Sequence, residues 1–145
     1  MPSACSGFFS LAGTVKGLGE VNLWVEDLDK MTSFYERTLG LEPIFKNRRH
    51  VFLKVADGYG GHPQAVALFN SKYDRRAPPD VRRTSLNHLA FSIDKEDFQT
   101  EKKHLESSGL KVRVELHRQP HWRSMYFNDP EGNQVELVAY DEDVR

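Results

Sequence analysis

The sequence predicts an α+β fold of two βαβββ modules, each curling a mixed sheet around a concave site, and three observations carry that prediction. Residues 20–41 and 88–110 follow one plan: an alternating stretch, a helical stretch and a closing Gly-Leu pair. A second pair of blocks, Val66-Ala67-Leu68-Phe69 and Val135-Glu136-Leu137-Val138, keeps almost the same offset, about 68 or 69 residues. The chain of 145 residues is therefore nearly two copies of one unit plus an arm and a connection.

Residues 1–16 read as an N-terminal arm, mildly apolar but without the basic stretch of a secretory signal. The first module, 17–70, opens with Val21, Leu23 and Val25 on one face and Glu20, Asn22 and Trp24 on the other, the pattern of a half-buried strand. The period then becomes helical. Met31, Phe34, Tyr35 and Leu39 line one face, with Asp27 and Asp29 at the start and Gly40 as a stop. Strand-like pieces follow at Ile44–Phe45, Val51–Val55 and Ala65–Phe69, the last two divided by Asp57-Gly-Tyr-Gly-Gly-His-Pro63.

Residues 71–85 read as a linker containing Pro78-Pro79 and Arg75, Arg76, Arg82 and Arg83. It is either a solvated connection or a basic lip that guides an anionic substrate. In the second module, 86–140, Leu89, Phe91 and Ile93 alternate with His88, Ala90 and Ser92. A helix begins at Asp94, carries Phe98 and Leu105, and stops at Gly109. Strands at Val112–Leu116, Ser124–Phe127 and Gln134–Ala139 complete the unit, with Asn128-Asp-Pro-Glu-Gly-Asn133 as the last turn, and 141–145 form a tail.

Composition narrows the function. A formal charge of -1 supplies no overall basic field for a nucleic-acid backbone. No apolar run approaches the roughly 20 residues that span a bilayer, so no membrane partner is expected. Cys5 is the only cysteine, which excludes an intramolecular disulfide and a cysteine-based zinc site and implies a reducing, cytoplasmic setting. Neither a glycine-rich phosphate loop nor a strained nucleophile motif is present.

Strand alternation puts Glu20, His88 and Glu136 on the concave faces, with Ala67 at the first-module position that matches Glu136. Trp24 and Phe69 share that face, where they would stack on an organic substrate or fill the interior. His50, His62 and His104 read as solvated side chains. His117 and His121 flank Arg118 and precede the strand that carries Tyr126.

Three segments carry a family resemblance. Val21-Asn-Leu-Trp-Val-Glu-Asp-Leu-Asp-Lys-Met-Thr-Ser-Phe-Tyr-Glu-Arg-Thr-Leu-Gly-Leu41, Asn87-His-Leu-Ala-Phe-Ser-Ile93 and Tyr126-Phe-Asn-Asp-Pro-Glu-Gly-Asn-Gln-Val-Glu-Leu137 resemble the vicinal oxygen chelate superfamily of glyoxalase, bleomycin-resistance and extradiol-dioxygenase proteins. The resemblance runs over 17–140 and implies paired modules that hold one divalent metal. Its ligand positions fall on Glu20, Ala67, His88 and Glu136.

Ala67 has no donor, so the resemblance implies a three-ligand set of Glu20, His88 and Glu136, with Glu20 where the three-ligand branches carry His. Two carboxylates and an imidazole suit Mn, Fe or Mg more than a softer ion, with Ni and Zn also in the family's range. Should His88 and Glu136 hold the metal alone, Glu20 becomes a candidate general base, and His121 and Tyr126 resemble proton-transfer helpers. The implied function is a metal-dependent dioxygenase, lyase, transferase or isomerase. Its small organic substrate would chelate the metal through neighbouring oxygens, in a homodimer whose sites the partner completes or adjoins. The competing expectation is a metal-free, bleomycin-resistance-like protein that sequesters a small molecule.

Overall fold

The computed structural model describes residues 14–80 and 85–145. The first module runs β1 (Glu20–Val25), α1 (Leu28–Leu39), β2 (Glu42–Lys46), β3 (His50–Tyr59) and β4 (His62–Asn70). The second runs β5 (Leu89–Ser92), α2 (Phe98–Ser107), β6 (Arg113–His117), β7 (Trp122–Asn128) and β8 (Gln134–Tyr140). Each module builds one open four-stranded sheet, in the orders β1-β4-β3-β2 and β5-β8-β7-β6. In both, the first strand lies parallel to the last and the other pairs are antiparallel. The repeat is thus a repeat of topology, and the fold is the expected α+β pair of βαβββ units. Cys5, Arg82 and Arg83 lie outside the described residues.

Local chemistry explains the helices. The Asp27 side chain caps α1 by accepting from Lys30 N at 3.0 Å, and Gly40 ends it in the left-handed conformation at φ 67. Met31 and Tyr35 are fully buried beneath it. The second helix begins later than the sequence suggests. Asp94 starts a 3₁₀ turn at Lys95–Asp97, and α2 proper opens at Phe98. Strands β3 and β4 are longer than their apolar runs, because the hairpin continues to a Gly60-Gly61 turn at φ 63 and 84. Gly58 is required there: a Cβ would lie 2.0 Å from the His62 carbonyl oxygen.

The helix-covered faces of the two sheets carry two core clusters that adjoin. Leu89 of β5 packs with first-module residues, and Phe34, Leu39 and Phe91 pack against both clusters. The concave faces are the opposite faces of the sheets, away from these clusters. Among the described residues no helix is long and apolar enough to cross a membrane.

Two connections fix how β8 sits. In the turn Asn128–Asn133, buried Asp129 accepts from Glu131 N, Asn133 N and Asn133 Nδ2, and also from Tyr35 Oη at 2.9 Å in α1. Glu131 reaches back to accept from Glu26 N at 2.8 Å and Asp27 N at 3.1 Å, just ahead of α1. The segment after β8 is packed against the second module. Asp141 lies 2.8 Å from an Arg123 guanidinium nitrogen, Lys95 bonds Glu142 at 2.7 Å, and Val144 is buried.

Candidate functional site

The polar site is built on the concave face of the second sheet. Register pairs Ala90 with Glu136, so His88, two residues earlier, shares the face of Glu136. His88 Nε2 lies 2.9 Å from Glu136 Oε2, and the Glu136 side chain is only 7% exposed. On the other side of the ring, Nδ1 is 2.6 Å from Asn87 Oδ1. With Nδ1–H donating to Asn87, Nε2 presents a lone pair toward a carboxylate oxygen. Two lone-pair donors at that separation are stabilised by a proton or a cation shared between them. The donor set therefore fits a divalent ion, and Asn87 is the partner that fixes the ring's tautomer.

Tyr126 lies directly opposite Glu136 in the β7–β8 pair. Its ring meets His88 edge-on at 6.0 Å, Arg113 lies over it at 4.5 Å, and its hydroxyl is 3.2 Å from His117 Nε2. Burial pushes the phenol's pKa up, and the nearby Glu136 charge adds to that. The hydroxyl stays protonated at neutral pH and can donate to an anionic oxygen.

The first sheet presents a different face. Glu20 is exposed, accepts from Asn22 Nδ2 at 3.2 Å and lies 3.7 Å from His62 Nε2. The structure does not bring Glu20 to His88 and Glu136 within one chain, because the two concave faces belong to different sheets. Among the described residues no three His, Cys, Asp or Glu side chains form a group that could hold a metal ion. At the position that matches Glu136, Ala67 is buried beside Phe52 and Asn22. Aromatic rings replace donors there: Trp24 meets Phe69 at 5.9 Å, and His50 stacks on Phe69 at 5.2 Å. A cavity of about 310 Å³ is lined by Glu20, Asn22, Leu23, Trp24, Phe69 and Arg76.

His121 is placed apart from Tyr126. It occupies the β6–β7 turn at φ 69, its Nδ1 is 2.7 Å from the Val144 carbonyl oxygen, and its ring packs near Tyr140. It lies ahead of β7, on the far side of Trp122 from Tyr126, and His117 is the histidine that reaches the hydroxyl. Asn87, Arg113 and His117 were missed as site residues in the sequence. The alternation of Arg113, Glu115 and His117 held the signal, but only the β6–β7 register assigns that face to Tyr126. His50 is a stacked ring on the concave face rather than a solvated one, and His104 Nε2 lies 3.2 Å from the Thr38 carbonyl oxygen of the first module.

Known proteins agree with this architecture. Residues 17–137 match the Glyoxalase/Bleomycin resistance protein/Dioxygenase superfamily. The chain is 28% identical over 123 residues to the glutathione transferase FosA of Serratia marcescens, covering 85% of this chain and 80% of that protein. It is 30% identical over 114 residues to the metallothiol transferase FosB of Staphylococcus epidermidis, covering 78% of this chain and 74% of that one. The crystal structure of the fosfomycin resistance protein FosX from Mesorhizobium loti superposes with a TM-score of 0.64 at 25% identity, over 88% of this chain and 95% of FosX. The family match and the paired βαβββ sheets agree, and the chain belongs to the glyoxalase/bleomycin resistance/dioxygenase, or vicinal oxygen chelate, superfamily.

Proposed function

We propose that the protein is a divalent-metal-dependent enzyme of the transferase or lyase kind, acting on a small organic molecule that offers the metal neighbouring oxygens. The observation that carries this reading is the His88–Glu136 pair, 2.9 Å apart, with the Glu136 carboxylate buried and His88 half-buried. The similarity to a glutathione transferase and a metallothiol transferase supports the reaction class. When bound, the metal would supply Lewis-acid stabilisation of negative charge on a substrate oxygen. His88 and Glu136 would hold it, Asn87 would orient His88, and Tyr126 would donate a hydrogen bond to the same oxygen.

Two donors from one chain leave room for a third. We assign that place to Glu20 of a second copy, in a homodimer that lays the first sheet of one chain against the second sheet of the other. Phe45 at 52%, Trp122 at 44% and Tyr140 at 62% exposure on the concave faces support such a cover. Trp24 and Phe69 would then form the substrate's apolar wall.

Thermal melts of metal-stripped protein test the reading. Excess Mn(II), Fe(II), Ni(II), Zn(II) or Mg(II) is expected to raise the midpoint by on the order of 5 °C for at least one ion. His88→Ala and Glu136→Ala should abolish the rise. No stabilisation by any ion would overturn the metal-dependent reading and favour the metal-free sequestering protein, which needs no donor at Ala67.

A further inference from the structure

We infer that the first module's concave face carries an anion subsite for a flat, negatively charged organic ligand, with aromatic rings as its floor and arginines as its rim. The inference rests on the proposed reading in taking the concave faces as the place where the substrate lies. A cavity of about 490 Å³ opens at one end of the first sheet, lined among others by Arg49, His50, Phe69, Tyr73, Arg75 and Arg76. Phe69 and Arg76 line both this cavity and the one beside Glu20, so the two form a continuous trough.

The floor is aromatic. His50 stacks on Phe69 at 27° between planes and Phe45 stacks on His50 at 5.3 Å, while Phe52 meets Phe69 edge-on at 5.9 Å. A planar ligand can extend such a stack.

The rim comes from two segments at the same end of the sheet. The β2–β3 turn brings Arg48 and Arg49, and the chain leaving β4 brings Tyr73 to Arg76. They are tied together: Asn70 N donates to the Arg49 carbonyl oxygen at 2.7 Å, and the Arg48 guanidinium lies over the Tyr73 ring at 5.6 Å.

Asp74 is the acid among them. Hydrogen bonds from Arg76, from its side chain and its backbone, hold the Asp74 carboxyl down at about 2. It stays ionised and offsets one guanidinium, while Arg48, Arg49 and Arg75 keep the rim positive on a chain whose net charge is -1. Such a local excess over apolar rings selects an anion attached to a flat body, such as an aromatic carboxylate. In the trough the flat body would cover Phe69 and the anion would meet the rim, leaving the ligand's far end toward Glu20.

Calorimetric titration of the 145-residue chain with naphthoate and with its uncharged counterpart naphthalenemethanol tests this. Naphthoate is expected to bind roughly tenfold tighter, with the advantage shrinking as salt is added. The double variant Arg49→Gln, Arg75→Gln should remove the preference, and Phe69→Ala should weaken both probes. Both arginines are exposed, so the double variant should melt like the parent. Equal binding of the two probes, or a preference that survives the double variant, would overturn the subsite. Metal content measured on the same samples separates the two claims. Charge preference without metal would leave the subsite standing and sink the metal-dependent enzyme; metal without charge preference would do the reverse.

Discussion

At His88 the two ring nitrogens have different tasks, and this asymmetry is where the sequence becomes chemistry. Nε2 faces Glu136 and Nδ1 is held by Asn87, so the second contact sets the direction of the first. Asn87→Ala should leave the fold intact yet weaken metal affinity by about 10–100-fold, the usual effect of losing a histidine's outer partner. Competition against a fluorescent chelator measures it, and unchanged affinity would remove Asn87 from the site. His88 and Glu136 were legible because strand alternation and the turn motif preceding Glu136 place each without knowledge of its neighbours. Arg113 and His117 were not, since their approach to Tyr126 depends on register across β6 and β7. His121, the nearer histidine in sequence, is turned away by the hairpin and spends its Nδ1 on Val144.

Among the elements, the turn Asn128–Asn133 holds the two modules together. Its buried Asp129 gathers bonds from within the turn and from Tyr35. Tyr35→Phe removes one of them and should cost about 1–2 kcal/mol, whereas Asp129→Ala strands several buried donors and should cost about 3 kcal/mol or more. Urea unfolding of both variants checks the order, and equal losses would contradict it.

The segment after β8 makes a pH prediction. The Asp143 backbone N–H, together with Arg123 and Lys95, lowers the Asp141 carboxyl below its ordinary range despite burial. A carboxyl depressed in the folded state stabilises it above the unfolded pKa, about 3.9, and that contribution is lost as pH falls through the folded value. The gap in melting temperature between the parent and Asp141→Asn should be full at neutral pH and close as pH drops below about 4. A constant gap would contradict the linkage. From sequence this segment read as a tail, because its anchors, Lys95 and Arg123, lie far from it along the chain. Helix α1 was legible end to end, since Asp27 and Gly40 mark its limits locally. The later opening of α2 was not, because an acidic turn ahead of Phe98 reads equally as helix or 3₁₀.

In the whole molecule, one topology used twice has acquired two surfaces. The second sheet carries His88, Glu136, Tyr126 and Arg113, while the first replaces the matching donor with Ala67 and surrounds it with rings. The repeat offset made the two-module fold readable, but nothing in the spacing tells that the concave faces of one chain point apart. A site that uses both faces calls for a second copy, so sedimentation should give twice the 16.7 kDa chain mass. A single-chain mass at micromolar concentration would break the shared-site arrangement.

Elemental analysis of untagged protein, beside His88→Ala and Glu136→Ala, tests the central claim most directly. The expected result is near-stoichiometric divalent metal per chain in the parent and loss of it in both variants, with all three proteins folded. Metal-free parent protein that also fails to take up any added ion, or variants that keep the parent's metal, would contradict it.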